Sequence, residues 1–389
     1  MLNRRRFLAS GIGGITGWAA AGSGLFQGVV TAQSPPCPAP AKDELLRVLE
    51  AVGKPARVMT QADGTDIVLL PYGGRVLGVY ARDSQENFYW THPALGSAET
   101  ARAFYESDAW HNSGGDRTWL APEVDIFLPK YPDLSTYRQP RELDPGDYEV
   151  KSSQRGLELV NTFSLRFSRS GRQVSLRLGK SIGAAPNPLR HETTVDTRAL
   201  AYAGYTQFTT LRIQDETGQE PPAVGLWNLV QMPHGGDLLV PTFSRTRPTV
   251  WFGDIAPDDL AVSDHLVRYR MRATGEHKLG IRAVATTGRV GYLHNTGGAA
   301  TLIIRCFVVN PSGDYIDVPW KNPEDFGYST QACNVNSNLG SFSELEYHVP
   351  AIGGSTERRS CHDTAVVWAF RGPLDAIQAA GRCLLSPEV

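Results

Sequence analysis

An all-β fold, a large antiparallel sandwich with a few short helices, is what this sequence of 389 residues predicts. Three observations point to it. The first is alternation: Val174, Leu176 and Leu178 point one way while Ser175 and Arg177 point the other, and Val267, Tyr269 and Met271 alternate likewise against Arg268, Arg270 and Arg272. The second is the nearly continuous apolar run from Leu302 to Val309, the pattern of a strand buried on both faces. The third is spacing, since such strands recur about every 10–15 residues through Phe370 with turn residues between them.

The chain opens on Asn3-Arg4-Arg5-Arg6-Phe7-Leu8, followed by a weakly apolar, glycine-rich run to Val30 and the small residues of Val30-Thr31-Ala32. This is the pattern of a twin-arginine export signal with Arg4-Arg5 as the pair, departing from it at Asn3 and Ala9. The glycines make the run a poor membrane span. Residues 1–32 are therefore expected to be a bacterial signal peptide, and the mature protein to be periplasmic or secreted without stable membrane insertion. Cleavage there removes three arginines and no acid, so that of the 38 bases 35 remain against 40 acids. A net acidic chain lacks the basic footprint a nucleic-acid partner needs.

Residues 33–56 read as a proline-rich tether, Gln33 to Lys42, and a short helix, Asp43 to Val52, with Leu45, Leu46, Val48 and Leu49 on roughly one side. Residues 57–389 read as one β domain. Asp66 to Leu70 is an apolar strand ending at Pro71, and Gly73-Gly74 turns into a second strand, Arg75 to Tyr80. Gly96 to Ser107 and Pro373 to Leu384 are the further helical candidates. The five cysteines (37, 306, 333, 361 and 383) are odd in number, which leaves at least one unpaired, and Cys333 with Cys361 is the expected pair. With no Cys-x-x-Cys and no His-x-x-x-His on a helical run, neither a metal site nor a cofactor is expected.

The richest stretch runs from His111 to Pro129. Gly114-Gly115 allows a sharp turn that delivers Asp116 and Arg117 to the start of a strand. Alternation places those two side chains on opposite faces. It groups Arg117 with Trp119, and with Glu123 if the strand stays regular past Pro122. A planar guanidinium, an indole face and a carboxylate in a row suit a polyhydroxylated or anionic ligand, and equally suit an ion pair that pins the strand.

Other segments carry a resemblance to a known family. Pro71-Tyr72-Gly73-Gly74-Arg75-Val76-Leu77, then Asn87-Phe88-Tyr89-Trp90 before His92-Pro93, resembles the opening of galactose mutarotase-like (aldose 1-epimerase-like) proteins. Gly114-Gly115-Asp116-Arg117-Thr118-Trp119-Leu120-Ala121-Pro122-Glu123 resembles the signature of an exported bacterial branch of that superfamily. Leu226 to Gln231, His277 to Ile281, Gly291-Tyr292 and Glu344 to Tyr347 match as well, so the likeness covers roughly residues 57 to 372. It implies a supersandwich of two large twisted antiparallel sheets with a sugar-binding cleft on a concave sheet face. In aldose epimerases of this fold a glutamate near the chain end is the base and a mid-chain histidine the acid. Glu346 is the positional counterpart of that base, with Glu344 on the same strand face. The mid-chain Asn-x-x-Asn-His-x-Tyr-Phe-Asn pattern of true aldose epimerases is absent, which puts ordinary mutarotase activity in doubt and leaves His92, His234 and His294 as substitute acids: His92 at a strand exit before Pro93, His234 in the turn Met-Pro-His-Gly-Gly, and His294 at a strand end.

The candidate catalytic residues are thus Glu346, His234 and Glu123. The candidate substrate-binding residues are Arg75, His92, Arg117, Trp119, Trp227, Lys278 and His294. Lys278 reads as a base or a carboxylate binder, and Arg75 as a uronate clamp or half of an internal ion pair. Three functions stay open: an exported sugar epimerase or isomerase, uronate substrates included; a polysaccharide lyase or hydrolase; and a non-catalytic carbohydrate-binding protein. The export reading has a direct test. Replacing both Arg4 and Arg5 with Lys should strand the protein in the cytoplasm on cell fractionation, and undiminished periplasmic protein would refute it.

Overall fold

The computed structural model describes residues 39–153, 156–214 and 220–389. Their strands form two antiparallel sheets. Across the first, in spatial order, run Arg57–Thr60, Asp66–Leu70, Arg75–Tyr80, Asp116–Ala121, Gly225–Pro233, Gly340–His348, Tyr328–Ser337, Gly275–Arg282 and Thr249–Phe252. Across the second run Leu260–Val262, Leu266–Arg270, Asp237–Pro241, Arg289–Asn295, Ala300–Cys306, Ser360–Gly372, Ala201–Ile213, Gln173–Ala184, Gly156–Arg166 and Glu149–Ser153. The all-β reading holds. The export segment and Cys37 lie outside the described residues, and no helix among those described is long and apolar enough to cross a membrane.

The main core fills the space between the sheets. Ile67, Val230, Leu279 and Leu345 meet Leu176, Leu178, Leu211 and Ile303 there. The apolar run near residue 302 is buried twice over, as its composition requires. Ile303 enters this core, while Leu302 and Ile304 pack on the other face under Ile377 and Ala380 of the closing helix, Leu374–Leu384. The strand stops at Cys306, short of Val309. Helices Lys42–Ala51 and Ala98–Glu106 cover the outer face of the first sheet over Val68, Leu70 and Leu77. The middle of that face is left for other segments.

Two glycines aim the central strand. Gly114 and Gly115 have φ of 100° and 70°, left-handed values that any Cβ would oppose. A Cβ would also lie 2.3 Å from the Trp90 carbonyl oxygen at Gly114 and 2.3 Å from that of Val76 at Gly115. The backbones pass that closely only because both side chains are absent. Asp116 and Arg117 then leave on opposite faces, as alternation dictates.

Asp116 turns inward, where three strands of the second sheet close on it. Arg305 Nη2 lies 2.9 Å away, the Tyr205 hydroxyl donates at 2.6 Å, and Lys180 Nζ sits at 3.4 Å. The expected Cys333–Cys361 pair is corrected here: both are free thiols. Cys333 is on the outer face of the first sheet, opposite Glu344, and Cys361 pairs with Leu211 in the second.

Because Asp116 is fully buried, its loss leaves two cations facing each other without a counter-charge. Asp116→Ala should cost about 3–5 kcal/mol in urea denaturation. A loss below about 1 kcal/mol, the level of an exposed ion pair, would remove Asp116 as the clamp between the sheets.

Candidate functional site

The outer face of the first sheet carries a row of polar side chains in register. Glu346 lies opposite Leu229 and Gln331, Glu344 opposite Gln231 and Cys333, and Lys278 opposite Cys333. Arg117 and Trp119 continue the row across Leu229 and Trp227. Period-two alternation commits all of them to one face, with Leu345 and Tyr347 turned to the core. Two loop segments roof this face. One begins at Glu123, in the short helix Glu123–Ile126, and carries Tyr137; the other carries Asp317 and Trp320.

Lys278 is the centre of the cluster. Its Nζ lies 3.2 Å from Glu346 Oε2 and 3.8 Å from Glu123 Oε2, and it sits 4.4 Å above the Trp227 ring. The Trp227 indole donates to Glu346 Oε2 at 2.9 Å. Glu123 accepts from the Tyr137 hydroxyl at 2.9 Å and from the Trp320 indole at 2.8 Å. Asp317 accepts from the Glu123 backbone N–H at 2.8 Å and from Gln331 at 3.0 Å. Glu346, Glu123, Asp317 and Lys278 are all buried.

One ammonium cannot neutralise three buried carboxylates. Burial therefore dominates and pushes all three carboxyls up, Glu346 to about 7, with Lys278 pulling each of them partly back. Glu344 and Glu123 add repulsion at Glu346. Lys278 itself is desolvated, yet the surrounding acids outweigh that and raise its pKa. It is a fixed cation, which removes the base role offered for it on sequence grounds.

Arg117 faces the same row. Its Nη2 lies 2.7 Å from Glu344 Oε1, and its guanidinium stacks 4.0 Å from the Trp119 ring centroid and 5.2 Å from that of Trp110. Its orientation is thus set by Glu344 and two indoles, and by neither Asp116 nor Glu123. The strand ends at Ala121, so Glu123 does not continue the Arg117 face; it re-enters the site from the roof. Trp110 and Trp119 both donate to Asp144 Oδ2, at 3.0 and 2.9 Å.

Several polar atoms on this face have no hydrogen-bond partner among the described residues. They are Glu346 Oε1, Arg117 Nε and Nη1, Gln231 Oε1, Gln331 Oε1 and both ring nitrogens of His348. Orphaned buried polar atoms are costly one by one, and a cluster on one face suits a polar ligand.

Four other candidates lie elsewhere. Arg75 is fully buried and closes an internal ion pair with Asp144 at 3.0 Å. His92 accepts from the Ala94 backbone N–H at 3.1 Å, capping Pro93–Gly96, and stacks on Phe104. His234 bonds Asn334, whose side chain leaves its strand on the face opposite Cys333. His294 belongs to the second sheet. Burial pushes His92 down to about 4 and lowers His234 and His294.

Sequence reasoning missed His348, Asp317, Gln331 and Tyr137; Trp320 it offered only as one of several tryptophans near polar residues. His348 had a signal: it continues the every-second-residue series of Glu344 and Glu346, stacks on Trp227, and lies 3.7 Å from Asp317. Burial holds it neutral. The loop residues had none, since no periodicity places them.

Among the described residues, the side chains nearest to a metal-ligand set are Cys333, Glu344 and Glu346, whose donor atoms lie within 4.8 Å of one another. They do not fit a cation well. Arg117 and Lys278 already occupy the two carboxylates, and burial keeps the Cys333 thiol protonated.

The raised carboxyls give the site a pH signature. Glu346 holds its proton up to about 7 when folded, against 4.5 in the unfolded chain. The folded state binds the extra proton between those values. Its stabilisation is complete below 4.5 and is lost as pH rises through 7. Urea midpoints should therefore fall between about pH 5 and about pH 8, and Glu346→Gln should flatten that fall in part, Glu123 and Asp317 acting in the same sense. An unaltered slope in Glu346→Gln would show that Glu346 does not titrate there.

No curated protein sequence matches the chain. Among solved structures, a galactose mutarotase related enzyme from Lactobacillus acidophilus is similar at 9% identity and a TM-score of 0.43, over 80% of this chain and 96% of that one. A 4-alpha-glucanotransferase from Thermococcus litoralis aligns at 8% identity and a TM-score of 0.34, over 81% of this chain and 41% of its own. An alpha-galactosidase from Lactobacillus brevis aligns at 9% identity and a TM-score of 0.28, over 82% and 39% respectively. The chain thus spans well under half the length of the latter two. A family model covers residues 44–385, and on that match the chain belongs to DUF6786, a family of unknown function.

Proposed function

We propose that this is an exported sugar-active enzyme that binds a sugar on the outer face of the first sheet. It moves protons at the anomeric centre, with Glu346 as the base and Glu123 as the acid. The observation that carries this reading is the shared lysine: Glu346 on the sheet and Glu123 on the roof both reach Lys278, and both carboxyls are pushed up. Anomeric epimerisation needs one group to take the hydroxyl proton and another to protonate the ring oxygen, each poised near working pH. The acid role passes from His234 to Glu123 because His234 bonds on the far side of the sheet. Trp119, Trp227 and Trp320 supply the aromatic surface that sugar C–H faces pack on. Arg117, with Nε and Nη1 unpartnered, supplies donors for a carboxylate or a vicinal diol.

The likeness of Gly114–Glu123 and Glu344–Tyr347 to galactose mutarotase-like proteins agrees with a sugar at this site. The same carboxylate pair also suits glycoside hydrolysis. Lyase chemistry fits less well, since Tyr137 is held as a hydrogen-bond donor to Glu123 with its pKa pushed well up. Binding without chemistry leaves the paired, raised carboxyls unused.

Anomer exchange measured by NMR across neutral aldoses and hexuronates is the direct assay. Glu346→Gln should lower the rate at least ~100-fold. Arg117→Lys, which keeps the charge but loses the planar fork, should weaken sugar affinity with little change in melting temperature. Release of reducing sugar from a glycan would move the reaction to hydrolysis. Full activity in Glu346→Gln would end the proposal.

A further inference from the structure

We propose that a cleft beside this face is a second binding site, one that takes the acidic units of an oligosaccharide extending from Arg117. The inference rests on the reading of the outer face as a sugar site, and it adds the substrate class: a chain bearing repeated carboxylates, rather than a lone monosaccharide.

The cleft has a volume of about 620 Å³, and Trp110, Arg138, Arg141 and Arg166 line it together with Asp144. Arg138 and Arg166 are exposed, and neither has an ion-pair partner among the described residues. Arg141 donates to the Asp108 backbone carbonyl at 3.2 Å and reaches its carboxylate only at 4.0 Å, with both side chains in solvent, an ion pair of little energy. Asp108 and Glu142 also border the cleft, on exposed positions. The one buried acid, Asp144, is already taken by Arg75 and by the two indoles. Two guanidiniums therefore stand free at the mouth, where each can hold a carboxylate through two parallel N–H donors.

Trp110 joins this cleft to the first site. It lines the cleft, its ring stacks against the Arg117 guanidinium, and its indole N–H is tied to Asp144. The ring is fixed in place and half-exposed, as a platform for a sugar face must be. Trp110 thus lies between the buried Arg117 guanidinium, which it stacks on, and the cleft that Arg138 and Arg166 line. The acidic balance of the mature chain opposes a nucleic-acid occupant.

The test is calorimetric titration of the mature protein with four probes: monomeric galacturonate, its linear tetramer, neutral maltotetraose, and a short oligothymidylate. The tetramer should bind at least ~10-fold more tightly than the monomer, and maltotetraose more weakly than either. The double variant Arg138→Ala/Arg166→Ala should bring the tetramer-to-monomer ratio close to one. A tetramer affinity untouched by the double variant would overturn the proposal. So would maltotetraose or oligothymidylate binding as tightly as the acidic tetramer. Failure of the enzyme reading is separable: if Glu346→Gln leaves turnover intact while the double variant still loses the tetramer, the catalytic assignment falls and the cleft stands.

Discussion

The carboxylate of Asp116 is where the two sheets are tied together. Its three partners, Arg305, Tyr205 and Lys180, come from three different strands of the opposite sheet, so this one side chain joins three strands of the second layer to the first. Asp116 can reach that position only because the chain turns sharply at Gly114-Gly115. The next residue, Arg117, is then committed to the other face by strand alternation alone. The structural clamp and the candidate site are thus neighbours in sequence and lie back to back across one sheet. A slip of one residue in this strand would exchange them, placing Arg117 between the sheets opposite Arg305.

How much of this was legible follows the same physical division. Period-two patterns located the strands, and Asp66–Leu70 and Arg75–Tyr80 were read to the residue. They also placed Glu344 with Glu346 and separated Asp116 from Arg117. The apolar run at 302–309 was read as buried on both faces, but its end was misjudged: Phe307 still faces the core after regular pairing has stopped. The Cys333–Cys361 pairing failed because cysteine number and spacing carry no information about which sheet a strand joins.

The site was legible where strands build it and illegible where loops do. Lys278, Trp227, Trp119 and Glu346 sit on strands and fall together by register. Glu123 was grouped with Arg117 by counting along a strand that ends at Ala121, so it belongs to the site by a different route from the one counted. His92 and His294 stand out for lying near strand ends, and His234 for its place in the turn Met-Pro-His-Gly-Gly. Such positions say nothing about which face the ring joins, and packing settled each of them as a cap or a partner of nearby backbone and amide groups. Asp317 and Trp320 reach the cluster from a loop whose path depends on the whole fold.

Charge balance separates the two faces of the central sheet more sharply than burial does. Both hold ionised side chains away from water, which is expensive on either side. Between the sheets, one carboxylate has two cations and a tyrosine hydroxyl, with a donor for each oxygen. On the outer face, three carboxylates share one ammonium, one oxygen of Glu346 has no donor, and the carboxyls are pushed up until Glu346 titrates near neutrality. The first arrangement balances the carboxylate's charge and holds the layers together. The second keeps a proton within reach of an unpartnered oxygen, beneath a roof whose two anchors, Tyr137 and Trp320, donate to the opposing carboxylate. Replacing the three acids and Lys278 together by apolar residues of similar volume is the change that is often neutral or stabilising, so stability alone gives little reason for the cluster. A group able to give or take a proton at neutral pH is what such an imbalance supplies.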